Sequence, residues 1–246
     1  MSHLKNLRGE PTFIEGIGNV YPIKIRDWEK FDNLKELVSV KKEHFFIEDE
    51  AIKNFDLIMA NALNDVQVRD KVEELLKLTL QCEMLNLVKD DLGYYGYLIN
   101  NDETGEITRD NYDKFRSVVM EQNLLIEPKV YKNPEVAKWA EKVAKTKSKG
   151  GINITIAEKI EVVAVMDGRD FEDYDDYTYY QLEAKFERIS KIEESRSQSI
   201  MFANPYADFS KMKLVHFAES INLRKDPYKD LFKDSSKLSK LEQGVK

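Results

Sequence analysis

The chain of 246 residues contains a single cysteine, Cys82, so an internal disulfide framework is excluded and the composition fits a reducing compartment. Its three histidines, His3, His44 and His216, are far apart in sequence and leave little for a histidine-rich metal site. No apolar run approaches the ~18 residues of a membrane span, and the mean hydropathy is -0.54. The opening MSHLKNLRGEP lacks an apolar h-region, so no secretory signal is expected. No Gly-Lys-Ser/Thr phosphate loop, Gly-x-Ser-x-Gly elbow or His-Glu-x-x-His occurs anywhere. What is present is 42% hydrophobic and 34% charged, a soluble globular composition with ample material for one large domain or two small ones.

The net charge of -7 is unevenly spread. Residues 1–128 carry 16 basic and 25 acidic groups, residues 129–149 carry 7 and 2, and residues 150–246 carry 15 and 18. An acidic body repels a phosphate backbone, which argues against nucleic acid as a partner. The lysines at 138, 142, 145, 147 and 149 fit a solvated helix end running into a linker better than an anion site. Gly150-Gly151 follows and has the character of a flexible joint. The expected division is therefore an α+β domain over 1–149 and a helical domain over 150–246. The polar last dozen residues, SSKLSKLEQGVK, have too few apolar anchors to be held down.

The periodicity predicts an α+β chain, mainly α, with short N-terminal strands, a helical body and an all-helical C-terminal part. TFIEGIGNVYPIKI suggests a hairpin turning at Gly18-Asn19, with Pro22 favouring an edge. A short helix follows from Asp27, with Trp28, Phe31 and Leu34 on one face. Phe45–Ile47 begins either an extended piece or the next helix, and residues 50–63 have a helical rhythm. Apolar residues at three- and four-residue steps from Val66 to Val88 predict one long helix containing Cys82 as a core residue. Tyr94–Ile99 reads as a strand, and Thr108 is expected to cap a helix through Asn123. Asn133-Pro134 predicts another helix start. Thr155-Ile-Ala-Glu158 and Thr178-Tyr-Tyr-Gln181 are capping-box sequences. They start helices expected to end at Gly168 and near Ala203. Ser210 and Asp226-Pro227 are expected to cap two further helices, the first with Leu214, Phe217, Ala218 and Ile221 inward.

Three patterns invite chemistry and fall short of it. Asn100–Gly105 resembles the start of an EF-hand loop, but its twelfth position is Asn111 where a bidentate Glu is needed, and a strand precedes it. Gly16-Ile-Gly18 lacks the third glycine and the helix of a dinucleotide fingerprint. Asp167, Asp170, Glu172, Asp173, Asp175 and Asp176 could hold a divalent cation or occupy a basic groove on a protein partner, but an acidic loop before a helix N-terminus is also ordinary surface. The two capped helices around this loop outline a helix–turn–helix. Residues 155–200 hold 6 basic against 12 acidic groups, however, so packing in a bundle or against a partner is expected instead of DNA reading.

Thr178-Tyr-Tyr-Gln-Leu-Glu-Ala-Lys-Phe-Glu-Arg-Ile189, His216-Phe-Ala and Lys225-Asp-Pro-Tyr-Lys-Asp-Leu-Phe232, with Gly-Ile-Gly-Asn-Val-Tyr-Pro22, resemble proteins of tailed phages and prophages of low-GC Gram-positive bacteria. The resemblance is to their tail assembly chaperones. It implies a non-enzymatic helper in the host bacterial cytoplasm, without metal or cofactor. Its partners would be the tape-measure protein and the tail tube protein, and a longer frameshifted product exists in some members. Phe209, Phe217, Ile221, Tyr228, Leu231 and Phe232, placed on short C-terminal helices, are the candidate partner contacts, and ordinary core packing is the alternative for each. Asp173, Asp175 and Asp176 are the candidates for a second type of partner, a host defence protein that is inhibited by the chain or senses it. A stable tail or connector component is the remaining alternative, and the oligomeric state stays open.

Overall fold

The computed structural model describes residues 3–100, 105–131, 135–136, 138–140, 142, 154–204, 206 and 213–224. Among these the fold is α+β and mainly α, as the periodicity predicts. Helix α1 (His3–Leu7) leads into a hairpin of β1 (Thr12–Ile14) and β2 (Gly18–Val20). Thr12 pairs with Val20 and Ile14 with Gly18, so the turn lies at 15–17 and Gly18-Asn19 belongs to the strand. A 3-10 turn at Ile25–Asp27, α2 (Trp28–Asp32) and α3 (Lys35–Ser39) follow. Phe45 ends a further 3-10 turn, and Phe46 is left-handed, so neither an extended piece nor the next helix begins there.

Helix α4 (Asn54–Asn64) is joined to α5 (Val66–Leu80) through Asp65, whose carboxylate accepts the Gln67 amide at 2.8 Å as an N-cap. The expected helix to Val88 is shorter. Gln81 adopts a left-handed conformation, and Asn100 Oδ1 then accepts the amides of Glu83 and Met84 at 3.1 and 3.2 Å. The chain reverses into β3 (Leu85–Lys89), so Met84 and Leu87 continued the helical spacing by coincidence. Cys82 is buried in the connection, outside the helix. Burial pushes its thiol pKa up, which fits a core residue.

Strand β4 (Tyr95–Ile99) pairs antiparallel with β3 and with β5 (Glu106–Ile107). A Cβ at Gly96 would lie 2.8 Å from the Ile107 carbonyl oxygen, so the β4–β5 approach requires glycine there. Helix α6 (Tyr112–Gln122) is preceded by Asn111 rather than capped at Thr108. Asn111 Oδ1 accepts the Thr108 amide and its Nδ2 donates to Glu106 O, so the residue at the would-be twelfth calcium position is committed to the loop backbone.

The main core sits between the hairpin, α2–α6 and β4–β5, with Phe31, Phe55, Leu76, Tyr97, Ile107 and Phe115 fully buried. The end of α6 is bound to the hairpin by two buried amides. Gln122 Nε2 donates to Val20 O at 3.0 Å, and Asn123 Oδ1 accepts the Ile23 amide at 3.0 Å. Buried amide bonds of this kind fix register, because breaking one would cost about 1–3 kcal/mol, even though Gln122 Oε1 itself is buried without a partner.

Helices α7 (Ile156–Asp167) and α8 (Tyr179–Phe202) form an antiparallel pair joined by a 3-10 turn at Phe171–Tyr174. Both capping boxes are made. Thr155 Oγ1 accepts the Glu158 amide and Glu158 accepts the Thr155 amide, while Thr178 and Gln181 repeat the exchange. Gly168 ends α7 at φ +66°, a left-handed cap that favours glycine. Val163, Ala164, Tyr174 and Leu182 form a second, smaller core, flanked by half-buried Ile156, Ile160, Phe186 and Ile189.

Residues 213–224 run back along α8 without helix. The expected helix with Leu214, Phe217 and Ala218 inward is therefore absent there: Leu214 and Phe217 are exposed, and Ile221 is half-buried. The expectations for Asn101–Asp102, Asn133-Pro134, the lysines at 145, 147 and 149, Gly150-Gly151, Phe209, Ser210, Asp226-Pro227, Tyr228, Leu231 and Phe232 lie outside the described residues.

Candidate partner-binding surface

The helix pair meets the body through a seam built from the first turn of α8. Lys24 pairs with Thr178 in an isolated antiparallel bridge, and Ile25 N donates to Tyr177 O at 2.8 Å. The Trp28 ring stacks on Tyr179 with centroids 4.1 Å apart. His3 Nδ1 and Tyr180 Oη lie 2.7 Å apart, and Gln181 Nε2 donates to Leu7 O at 3.0 Å. Three successive residues, Tyr179, Tyr180 and Gln181, thus reach α1 and α2. The segment that would open a recognition helix is turned into the protein and is not free to enter a groove.

Two of the six carboxylates at 167–176 are engaged internally. Asp176 Oδ1 accepts from Lys24 Nζ at 2.7 Å and lies 3.0 Å from Arg26 Nη2. The Lys24 hydrogen bond and the Arg26 charge hold its pKa below the usual carboxylate value. Asp167 accepts from Lys185 of α8 and from Tyr174 Oη, the latter at 3.0 Å. The Lys185 bond lowers the Asp167 pKa, while burial first and then the carboxylate push Tyr174 up to about 12. Asp170, Glu172, Asp173 and Asp175 remain exposed. Among the described residues no group of three or more His, Cys, Asp or Glu side chains is placed to hold a metal ion.

A half-buried ion pair crosses the helix pair, with Lys159 Nζ 2.6 Å from Glu183 Oε2. Burial works against the Lys159 charge, but the bond to Glu183 prevails and raises its pKa. A comparable staple holds the body. Arg109 stacks 3.6 Å over the Tyr94 ring and donates to Asp56 Oδ2 at 2.6 Å, which ties the loop before α6 to α4. Both contacts join separate elements: the first ties α7 to α8, and the second ties the loop before α6 to α4, although Arg109 Nε stays buried without a hydrogen-bond partner.

What the surface offers instead is apolar area. Val162, Val165 and Met166 lie at three- and four-residue steps on the outer face of α7, with Val165 76% and Met166 50% exposed. After the Gly168 cap comes Phe171, 58% exposed, beside the free carboxylates Asp170 and Glu172. The capping box at Thr155 and the stop at Gly168 fix the extent of α7 but not which of its apolar residues are covered. The signal was available: Ile156, Ile160, Val162, Val163, Ala164, Val165 and Met166 are more apolar residues than one side of a twelve-residue helix can bury.

At the far end of α8 an open depression of about 530 Å³ is lined by Ile192, Ser195, Arg196, Ser199, Ile200 and Phe217. Here residues 213–219 lie against the helix. Gln198 Oε1 accepts the Val215 amide at 2.7 Å, and Arg188 Nη1 donates to the carbonyl oxygens of Phe217 and Glu219 at 2.6 and 3.0 Å. A turn at His216–Glu219 is closed by a bond from Glu219 N to His216 O. Phe217 is therefore brought to α8 by an irregular strap, and Ile221 lies beyond it, half-buried. Of the acidic candidates, Asp173 and Asp175 face solvent, whereas Asp176 is part of the seam.

Residues 144–222, which include the ridge and the strap, match the family described as YomV second domain. Over 129 residues the chain is 24% identical to the SPbeta prophage-derived uncharacterized protein YomV of Bacillus subtilis (strain 168). That alignment spans 52% of this chain and 52% of the relative, so the chain covers about half the relative's length. No solved structure matches the chain. The similarity is thus to a Bacillus prophage-derived protein, in keeping with the phage resemblance of residues 178–232. Among the described residues, no helix is long and apolar enough to cross a membrane.

Proposed function

We propose that the chain is a non-enzymatic, phage-encoded protein that binds other proteins in the host cytoplasm, as a tail assembly chaperone acting on tape-measure or tail tube protein. The observation that carries the reading is the uncovered apolar ridge of α7, Val162, Val165 and Met166, inside the segment that matches the YomV second domain. Its support from the sequence is the resemblance of residues 178–232 to such chaperones. A helper of this kind must cover apolar helix faces of a client reversibly, and a modest exposed ridge on a firmly capped helix supplies weak contacts that repetition along a long client strengthens.

The test is capture of the tagged chain from cells in which the phage replicates, read by mass spectrometry beside purified virions. Recovery of tape-measure or tube protein, reduced at least tenfold by Val165→Asp, is the expected result. Recovery of neither overturns the chaperone reading. Abundance of the chain in virions would make it a structural tail or connector component instead. The exposed Asp173 and Asp175 favour a second reading, contact with a basic surface on a host defence protein. In that case Asp173→Asn with Asp175→Asn would abolish capture of the host protein and leave phage clients unaffected.

A further inference from the structure

Among the described residues, the hydrogen bonds that join the strap at 213–219 to α8 are all made by the strap's backbone. Gln198 takes the Val215 amide, and one guanidinium of Arg188 takes two main-chain carbonyls brought together by the turn at His216–Glu219. Only Phe217 contributes a side chain to the lining of the depression, and it remains 55% exposed. The turn is also stabilised within itself, because His216 Nδ1 accepts the Ala218 amide at 3.1 Å. A segment joined to the helix by main-chain bonds, with Phe217 exposed and only Val215 half-buried, buries little side-chain area and depends little on its own sequence. The helix side is the opposite: Arg188, Ile192, Gln198 and Ile200 stand on a regular helix that is organised before the strap arrives.

From this we infer that the α8 surface of Arg188, Ile192, Gln198 and Ile200 is a docking site for a short turn-forming segment of a partner protein, and that the chain's own residues 213–219 occupy it as a displaceable latch. The partner segment is one that presents two converging carbonyls to Arg188, an amide to Gln198 and an aromatic side chain to the depression between Ile192 and Ile200. The seated strap is the direct template for that chemistry. The inference deepens the protein-binding reading above and rests on it. Its test needs no phage client, so failure here and failure of the chaperone reading are separable.

A competing cis segment lowers the apparent affinity for the same segment in trans by the fraction of time the site is open, about tenfold for a latch closed nine-tenths of the time. The experiment uses a fluorescent peptide of residues 213–224 and three forms of the full chain. The native chain is compared with an opened form, Val215→Pro with Phe217→Ala, which removes the amide donor and the aromatic ring without touching α8. The third form adds Arg188→Ala to the opened one, with circular dichroism confirming unchanged helix content. The expected result is at least tenfold tighter peptide binding by the opened form than by the native chain, lost again on adding Arg188→Ala. Equal binding by all three forms, or no binding to the opened form, overturns the inference. Light scattering across a concentration series is run on the native chain. A dimer abolished in the opened form would mean that the strap is exchanged between copies, and would overturn the assignment to a different protein.

Discussion

The body and the helix pair are stabilised in different ways. The body buries a broad core around fully enclosed Phe31, Phe55, Leu76, Tyr97, Ile107 and Phe115 and locks its register with Gln122 and Asn123. Among the described residues, the core of the helix pair is Val163, Ala164, Tyr174 and Leu182, and it draws on Ile25 and Trp28 of the body. It compensates with local chemistry: two capping boxes, a left-handed glycine cap, and the Lys159–Glu183 and Lys185–Asp167 ion pairs. The lesson is that a small core can leave apolar residues uncovered, as Val165 and Met166 are, provided that termini and cross-helix charges hold the helices. Such a module is expected to open without unfolding the body.

The largest effect expected tests the first half of that contrast. Leu76→Ala removes a fully buried side chain from the body, and a cost of about 3–4 kcal/mol is expected. It should appear as a lower denaturation midpoint of the whole chain. Leu182→Ala removes a side chain of equal size from the small core, with an expected cost of about 2–3 kcal/mol. Its signature should be local. Amides of α7 and α8 should exchange faster while those of β4 and α6 keep their protection. If α6 loses protection equally, the pair and the body are one cooperative unit and the contrast fails.

Helix starts were the most legible part of the sequence. Thr155 and Thr178 each carry their partner three residues on, and no tertiary contact is needed to make that exchange. The hairpin was legible as a pair of strands but not in register, because two glycines flank Ile17 and either could serve the turn. The end of α5 was hidden for a different reason. Met84 and Leu87 keep the helical spacing, and the stop is imposed by Asn100, which reaches back from beyond β4 to cap the connection. The excess of apolar residues on α7 was legible, but which of them stay exposed was not, because exposure depends on what packs against a helix. The same limit misplaced Phe217 on a helix. The bonds that hold its segment come from Arg188 and Gln198, which lie more than fifteen residues away in sequence.

Charge gives a finer test of how the pair is closed. The folded-state pKa of Asp167 lies below its unfolded value of about 3.9, so its contribution is present above that pH and is lost as pH falls through the folded value. Asp167→Asn should therefore destabilise the helix pair at pH 7 and be nearly neutral at the lowest pH where the chain stays folded. The pair is partly solvated, so about 1 kcal/mol or less is at stake. Thermal denaturation of both proteins between pH 2.5 and 7 measures this, and curves that stay parallel throughout would show that Asp167 does not carry the pH dependence.

The smallest stability effect is expected where the binding effect is greatest. Val165 is largely exposed and makes no core contact, so Val165→Asp should change stability by no more than about 0.5 kcal/mol. A carboxylate there would nevertheless place a desolvated charge in any interface built on the ridge, since a buried unpaired charge is costly. Unchanged denaturation together with lost client capture separates an apolar face kept for binding from one that is merely uncovered. A fall in stability comparable to that of Leu182→Ala would mean the reverse: the ridge would then belong to the small core, and the module would be less open than its geometry implies.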